Sequence, residues 1–234
     1  MTEIRNVFLR VGWIMETTLH RQLKEHYSSA NSEVEVKFGR YRIDVVTGDR
    51  LIEIQHSGLA SISRKIAKLV ESHEVDVVKP IVFRKRLIKL SRKNGKVVSQ
   101  RLSPRKGGFL DLFDELMYFT RVFPHPNLRL IAPMIEVEEI RYPGHGRRRW
   151  KRAGDFVVKD RILTSIIDSQ CYSTAQDLHQ HLPKMTRVFD TKQMAKNLDI
   201  QRSEAQRMAY VMRKTGSIKQ VGKKGNSLLY RKVA

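Results

Sequence analysis

Residues 75–83, VDVVKPIVF, constrain the fold more than any other stretch of the chain. Only Asp76 and Lys79 interrupt the apolar run. A strand in a one-sided sheet alternates apolar with polar, whereas a nearly continuous apolar strand needs cover on both faces. The surrounding pattern supplies that cover. Residues 13–27 show helical spacing through Trp13, Leu19, Leu23 and Tyr27. Three short strand-like runs follow: one around Val34 and Val36, then YRIDVV, then RLIEIQ after the turn-forming Thr47-Gly48-Asp49. Residues 59–72 are again helical, with Ile62, Ile66, Leu69 and Val70 on one face and Arg64, Lys65 and Lys68 on the other. The expectation is an α/β fold with a mixed central sheet flanked by helices.

Beyond residue 83 the chain turns basic. Residues 84–106 read as a basic hairpin around an Asn-Gly turn. Residues 109–123 read as an amphipathic helix and 128–142 as a further strand. The formal charge is +21, and it is unevenly placed. Residues 1–78 balance 11 basic against 11 acidic, 79–140 carry 13 against 6, and 141–234 carry 21 against 7. A field this lopsided suits a polyanion, with nucleic acid the default partner. No stretch approaches the ~18 apolar residues of a membrane span. Cys171, the single cysteine, supports neither a disulfide framework nor a cysteine-based zinc site, which fits a reducing, cytoplasmic location.

The neutral N-terminal part holds an acidic pair. A hairpin across Thr47-Gly48-Asp49 brings Asp44 alongside Glu53, in strands otherwise made of Val, Leu and Ile. Burying two carboxylates together costs several kcal/mol unless a proton or a cation compensates. A divalent ion with oxygen ligands is a natural compensation. Glu53 and Gln55 are two apart and share a sheet face.

Helix, three-stranded meander, helix and strand, with Asp44 and the triplet Glu53-Ile54-Gln55, resemble the PD-(D/E)XK nuclease superfamily. The resemblance covers residues 10–83 and extends toward 140. It implies that Asp44, Glu53 and the Ile54 backbone carbonyl hold Mg (or Mn), with Glu16 of the first helix joining them. The residue two after the Glu is usually Lys in that family and positions the attacking water. Here it is Gln55, an amide without charge, and Lys65 on the following helix is a candidate to stand in for the missing Lys.

The composition shifts again at 142–149, a Gly-containing basic stretch. The expected organisation is a nuclease-like domain over 1–142 with the hairpin insertion at 84–106, a basic linker over 143–153, and a domain over 154–234. Asp190 caps a helix over 191–198, and a second helix runs over 202–216. A Gly-rich hairpin over 217–232 follows. This succession resembles a mostly α winged helix-turn-helix domain, with 161–182 read as further helix, turn and helix. It implies DNA contacts from Arg202, Ser203, Gln206, Arg207 and Arg213 on the reading helix, Lys223 and Lys224 on the wing, and Arg148 and Arg149 in the linker. The functional expectation is a metal-dependent DNA endonuclease acting on double-stranded DNA, with a homodimer as a candidate assembly and no membrane. The alternative is a non-catalytic DNA-binding protein on a nuclease-like scaffold.

Overall fold

The structure, a computed structural model, describes residues 17–144, 155–182 and 185–233. Glu16, Arg148 and Arg149, and most of the expected linker, lie outside the described residues. The first described helix, α1 (Thr18–Tyr27), starts on Thr17, whose hydroxyl accepts from the His20 amide. The meander β1 (Ser32–Phe38), β2 (Tyr41–Thr47) and β3 (Arg50–Ile54) follows. A 3₁₀ turn at Leu59–Ser61 leads into α2 (Ser63–Leu69), then β4 (Glu74–Val78) and β5 (Ile81–Leu90). Next come β6 (Val97–Leu102), α3 (Leu112–Leu116), and the long strands β7 (Leu128–Pro143) and β8 (Phe156–Tyr172). The chain ends with α4 (Thr191–Leu198), α5 (Arg202–Lys214), β9 (Ile218–Lys224) and β10 (Ser227–Lys232).

Strands β1 to β8 form one mixed sheet flanked by helices. β1, β2 and β3 are antiparallel, and β3 runs parallel to β4. The continuous apolar run at 75–83 is divided between β4 and β5, which follow each other along one edge of β7 in step: Val78 opposite Ile131, Ile81 opposite Met134. The interruption falls at Lys79-Pro80, level with Pro133 of β7. Proline has no N–H to donate, so two prolines at one level remove ladder bonds from both strands. β3 uses the other edge of β4, and β6 uses the other edge of β5. β8 lies along the opposite edge of β7 for its whole length.

Two apolar cores lie on the two faces. Leu19 and Leu23 of α1 pack on Val45, Ile52, Ile54, Val78, Ile135 and Val137. On the other face α2 and α3 pack on Ile43, Leu51, Val75, Val77 and Leu130, and this core continues without a gap into Met194 of α4 and Ala205, Met208 and Met212 of α5.

Two expectations are corrected. Residues 161–172 form the end of β8, a 17-residue strand of the main sheet, in place of a helix. Three register shifts against β7 put extra residues into β8, so Ile162, Leu163, Ile166 and Ile167 recur at a spacing that imitates a helix. The region 154–234 is therefore not mostly helical: it carries β8, a 3₁₀ turn at Gln176–His181 and the β9–β10 hairpin beside α4 and α5. The sheet also continues past residue 142, where the first domain was expected to end.

Candidate functional site

The Thr47–Arg50 turn, with Gly48 at φ +57°, sets the β2–β3 register at Val45 opposite Ile52. Asp44 and Glu53 are the next pair outward. The ladder stops there, and the Ile54 amide donates to Asp44 Oδ2 at 2.7 Å. The other side of β2 is irregular at the same level. The β1–β2 register omits the Glu35–Asp44 position, and Glu35 takes φ +58°. Ile43 and Val45 consequently belong to cores on opposite faces, although residues two apart in a regular strand share one. Asp44 sits at this slip in phase and reaches groups on both faces.

On the α1 face, Asp44 Oδ1 lies 3.1 Å from His20 Nε2. The rings of His20 and His56 meet edge to face, 5.8 Å between centroids. On the α2 face, Lys65 Nζ donates to Glu53 Oε2 at 2.6 Å and also to the Arg42 carbonyl. The Lys65 and Glu53 side chains are only 17% and 11% exposed.

The two carboxylates are pushed in opposite directions. Burial raises the Asp44 acid, but the bonds from His20 and the Ile54 amide outweigh it, and Asp44 ends below the usual range. Burial raises Glu53, the Asp44 charge raises it further, and Lys65 offsets only part of this, so Glu53 ends above its usual value. Carboxylates with separated acidities suit distinct roles in acid–base chemistry. Burial, with the charges of His20, Arg161 and Lys79, holds the His56 acid low.

The expected site residues are thus partly assembled. Asp44, Glu53 and Ile54 converge, and Lys65 joins them. Gln55 points elsewhere: its amide nitrogen donates to Ser57 Oγ, the Gly58 carbonyl and Ser61 Oγ, which anchors the loop before α2. His20 joins the site as a partner of Asp44, and the sequence signal for it is its place at the flank of the Leu19–Leu23 stripe of α1. Among the described residues no group of three or more His, Cys, Asp or Glu side chains is arranged to hold a metal ion. Two hard carboxylates on neighbouring strands nevertheless fit Mg²⁺ or Mn²⁺ in kind, because Mg²⁺ is usually held by one or two carboxylates plus water and substrate phosphate. The repulsion that raises Glu53 is what a bound cation would relieve.

At the C-terminal end, Arg202, Ser203, Gln206 and Arg213 of α5 are exposed, as are Lys223 and Lys224 at the end of β9. Arg202, Gln206 and Arg213 line one cavity of about 310 Å³ together with Asn226 and Ser227 of the β9–β10 hairpin. Arg207 does not join them, since its Nε pairs with Asp114 of α3. Among the described residues no helix is long and apolar enough to cross a membrane.

Fold and site define an α/β protein with a paired-carboxylate centre where a mixed sheet loses its regularity. Residues 17–173 match the family described as Domain of unknown function (DUF8091), and the chain belongs to that family. The match ends one residue after β8, so the family region spans the eight strands of the main sheet. The chain is 30% identical over 230 residues to an uncharacterized protein of Treponema pallidum (strain Nichols), covering 96% of this chain and 88% of that relative. No solved structure matches the chain.

Proposed function

We propose that this protein is a metal-dependent DNA endonuclease of PD-(D/E)XK type. The observation that carries the reading is the convergence of Asp44 and Glu53 from adjacent strands with Lys65 on Glu53. The order α1, β1, β2, β3, α2, β4 supports it, with β3 and β4 parallel beyond the antiparallel meander. Asp44 and Glu53 would hold Mg²⁺ or Mn²⁺, with Glu16 as a further candidate ligand. A bound ion there would supply Lewis-acid chemistry, polarising a scissile phosphate and lowering the pKa of a water so that hydroxide could form near neutral pH. His20 fixes the Asp44 carboxylate through its Nε2. Lys65 supplies the positive charge that Gln55 lacks, beside Glu53 and facing the same centre. The α4–turn–α5 pair and the β9–β10 hairpin form the winged helix-turn-helix that grips duplex DNA through Arg202, Ser203, Gln206 and Arg213, with Lys223 and Lys224 on the neighbouring backbone.

The test is cleavage of supercoiled, linear and branched duplex DNA in Mg²⁺ or Mn²⁺. Wild type should cut, and Asp44→Ala and Lys65→Met should each lose at least about 100-fold, in line with removing one electrostatic group from a reacting centre. No cleavage on any substrate, with Asp44→Ala indistinguishable from wild type, would overturn the enzyme reading. The second reading, a non-catalytic DNA-binding protein, is favoured by the Gln55 amide being spent on Ser57, Gly58 and Ser61. It predicts duplex binding without cleavage and without any effect of Asp44→Ala.

A further inference from the structure

Beyond the body of the molecule, β5, β6, β7 and β8 continue as a four-stranded extension, and its two faces differ in charge. Register assigns each residue to a face, because residues opposite one another in a sheet share one and neighbours in a strand alternate. Ile135 and Val137 pack under α1. Their face therefore also carries Glu139 and Arg141 of β7, Lys85 and Lys89 of β5, Arg101 of β6 and Arg161 of β8. Five cations there meet one carboxylate of the four strands. The opposite face carries Arg84 and Arg86 against Glu136 and Glu138, each arginine paired with the glutamate beside it at 3.6 and 3.5 Å. Register adds Asp160 opposite Ile140, its carboxylate held by Thr18 of α1, so that face carries no excess of positive charge.

The basic face is also held in place. Glu139 is 1% exposed and binds Lys85, Arg141 and Arg161 at 3.0, 2.5 and 2.9 Å. One carboxylate thus fixes three cations and leaves an excess of two positive charges. Arg141 Cζ lies over the Phe156 ring, 3.9 Å from its centroid. Beside it opens a cleft of about 310 Å³ lined by Lys89, Arg101 and Arg141, with Asp155 the one carboxylate among its described residues. The Lys89 and Arg101 side chains have no ion-pair partner among the described residues. Arg161 stands beside the attachment of this surface to the carboxylate centre: the adjacent Asp160 accepts from the Thr18 amide and hydroxyl at 3.0 and 2.5 Å, and the same α1 helix carries His20, which meets Asp44 at 3.1 Å.

We propose that the α1-side face of this extension is a binding track for a nucleic-acid backbone, in which Lys89 and Arg101 take phosphates in the cleft and Arg161 leads the strand toward Asp44. The proposal rests on the reading of the protein as acting on nucleic acid. It assigns backbone contact to the sheet in addition to the α4–α5 unit, and it excludes Arg84 and Arg86 of the same hairpin.

The test is fluorescence anisotropy of a labelled 20-base-pair duplex with the full chain in EDTA, so that binding is read without cleavage. Lys89→Gln/Arg101→Gln and Arg84→Gln/Arg86→Gln each remove two positive charges, so any effect of net charge alone is equal in the two. The first pair should weaken binding about 10-fold at low salt and flatten the log K against log [salt] slope by about 2, near 0.9 per lost phosphate contact. The second should change affinity less than about 2-fold. Equal losses from both pairs, or no loss from the first, would overturn the track, as would tight binding to anionic lipid vesicles with none to the duplex. Cleavage is scored separately. DNA cutting with an unaffected first pair removes the track and keeps the nuclease, whereas face-specific binding without cutting removes the nuclease and keeps the track.

Discussion

Replacing Lys65 with methionine tests the carboxylate centre without any assumption about substrate. Among the described residues the ammonium is the one cation bonded directly to Glu53, at 2.6 Å, and both side chains are largely buried. Breaking a buried pair from one side costs about 3 to 5 kcal/mol, because the remaining charge is left without compensation. Glu53 keeps some exposure and can escape the penalty by taking a proton, so the lower end applies, about 3 kcal/mol at pH 7. With a urea m-value of about 3 kcal/mol/M for a chain of this size, the midpoint should fall by roughly 1 M. Glu53→Gln in the Lys65→Met background removes the stranded charge and should recover at least half of the loss, giving a coupling well outside additivity. The pH dependence has a definite sign. Glu53 has a folded-state pKa raised above the unfolded value, so its contribution is full below the unfolded carboxyl range and is lost as pH rises through the folded one. Losing Lys65 raises the folded value further, and the gap between Lys65→Met and wild type should narrow toward acid pH. Far-UV circular dichroism during urea titration at pH 5 and pH 7 measures wild type, Lys65→Met, Glu53→Gln and the double variant. A Lys65→Met variant within about 0.5 kcal/mol of wild type at pH 7, or a gap that widens in acid, would refute the electrostatic account.

Three further outcomes are expected, two from buried groups and one from the surface of α5. Glu139 has its acid held down to about 2: burial opposes this, and the bonds from Lys85, Arg161 and Arg141 overcome it. Its stabilisation, on the order of 3 kcal/mol, should be present above the unfolded carboxyl range and lost as pH falls toward 2, so the stability gap to Glu139→Gln closes in acid urea titrations. His181 is held neutral by burial, with its acid lowered to about 4 and its Nε2 2.7 Å from the Tyr172 hydroxyl. Wild type should therefore lose stability as pH falls from 6.5 toward 4, and His181→Gln should flatten that limb. Arg207→Ala should leave duplex affinity within about 2-fold while Arg202→Ala/Arg213→Ala weakens it, because Arg207 is bound to Asp114 and the other two are exposed.

The features legible in the sequence were those governed by local chemistry. The Thr47-Gly48-Asp49 turn fixes which residues of β2 and β3 oppose each other, so the Asp44–Glu53 juxtaposition follows from a two-residue hairpin loop. The Asp190 cap with its bonds to the Lys192 and Gln193 amides, and Gly216 at φ +83°, bound α4 and end α5 in the same local way. What was not legible depends on partners distant in sequence. β8 reads as a helix because its bulges break the period-two pattern, and those bulges exist only in register with β7. The role of His20 depends on the slip in phase at Asp44, which turns a carboxylate toward α1. Arg207 belongs to the exposed face of α5 by periodicity alone, until α3 is packed beside it and offers Asp114.

The interrupted strand lets one sheet carry two differently charged regions. If β4 and β5 were unbroken, one edge would have to be filled by a single partner, and β3 and β6 would compete for it. The stop at Lys79-Pro80, opposite Pro133, lets β3 end at Ile54 while β6 takes up the same edge further along. The Gln55 amide nitrogen of the backbone then makes the last contact, to the Val78 carbonyl, and the chain leaves the sheet. Lys79 holds that departure: it is 5% exposed, donates to the Ser57 carbonyl at 2.6 Å and pairs with Glu115 of α3 at 3.0 Å. Glu115 in turn accepts from the Leu59 amide. The loop that absorbs the Gln55 side chain is thus fixed from below by a buried ion pair, and the Gln55 amide nitrogen is taken up there. The carboxylates fall on one side of the break and the cations of the β5–β8 extension on the other, so opposite charges are kept apart along the sheet, with α1 touching both through His20 on Asp44 and Thr18 on Asp160.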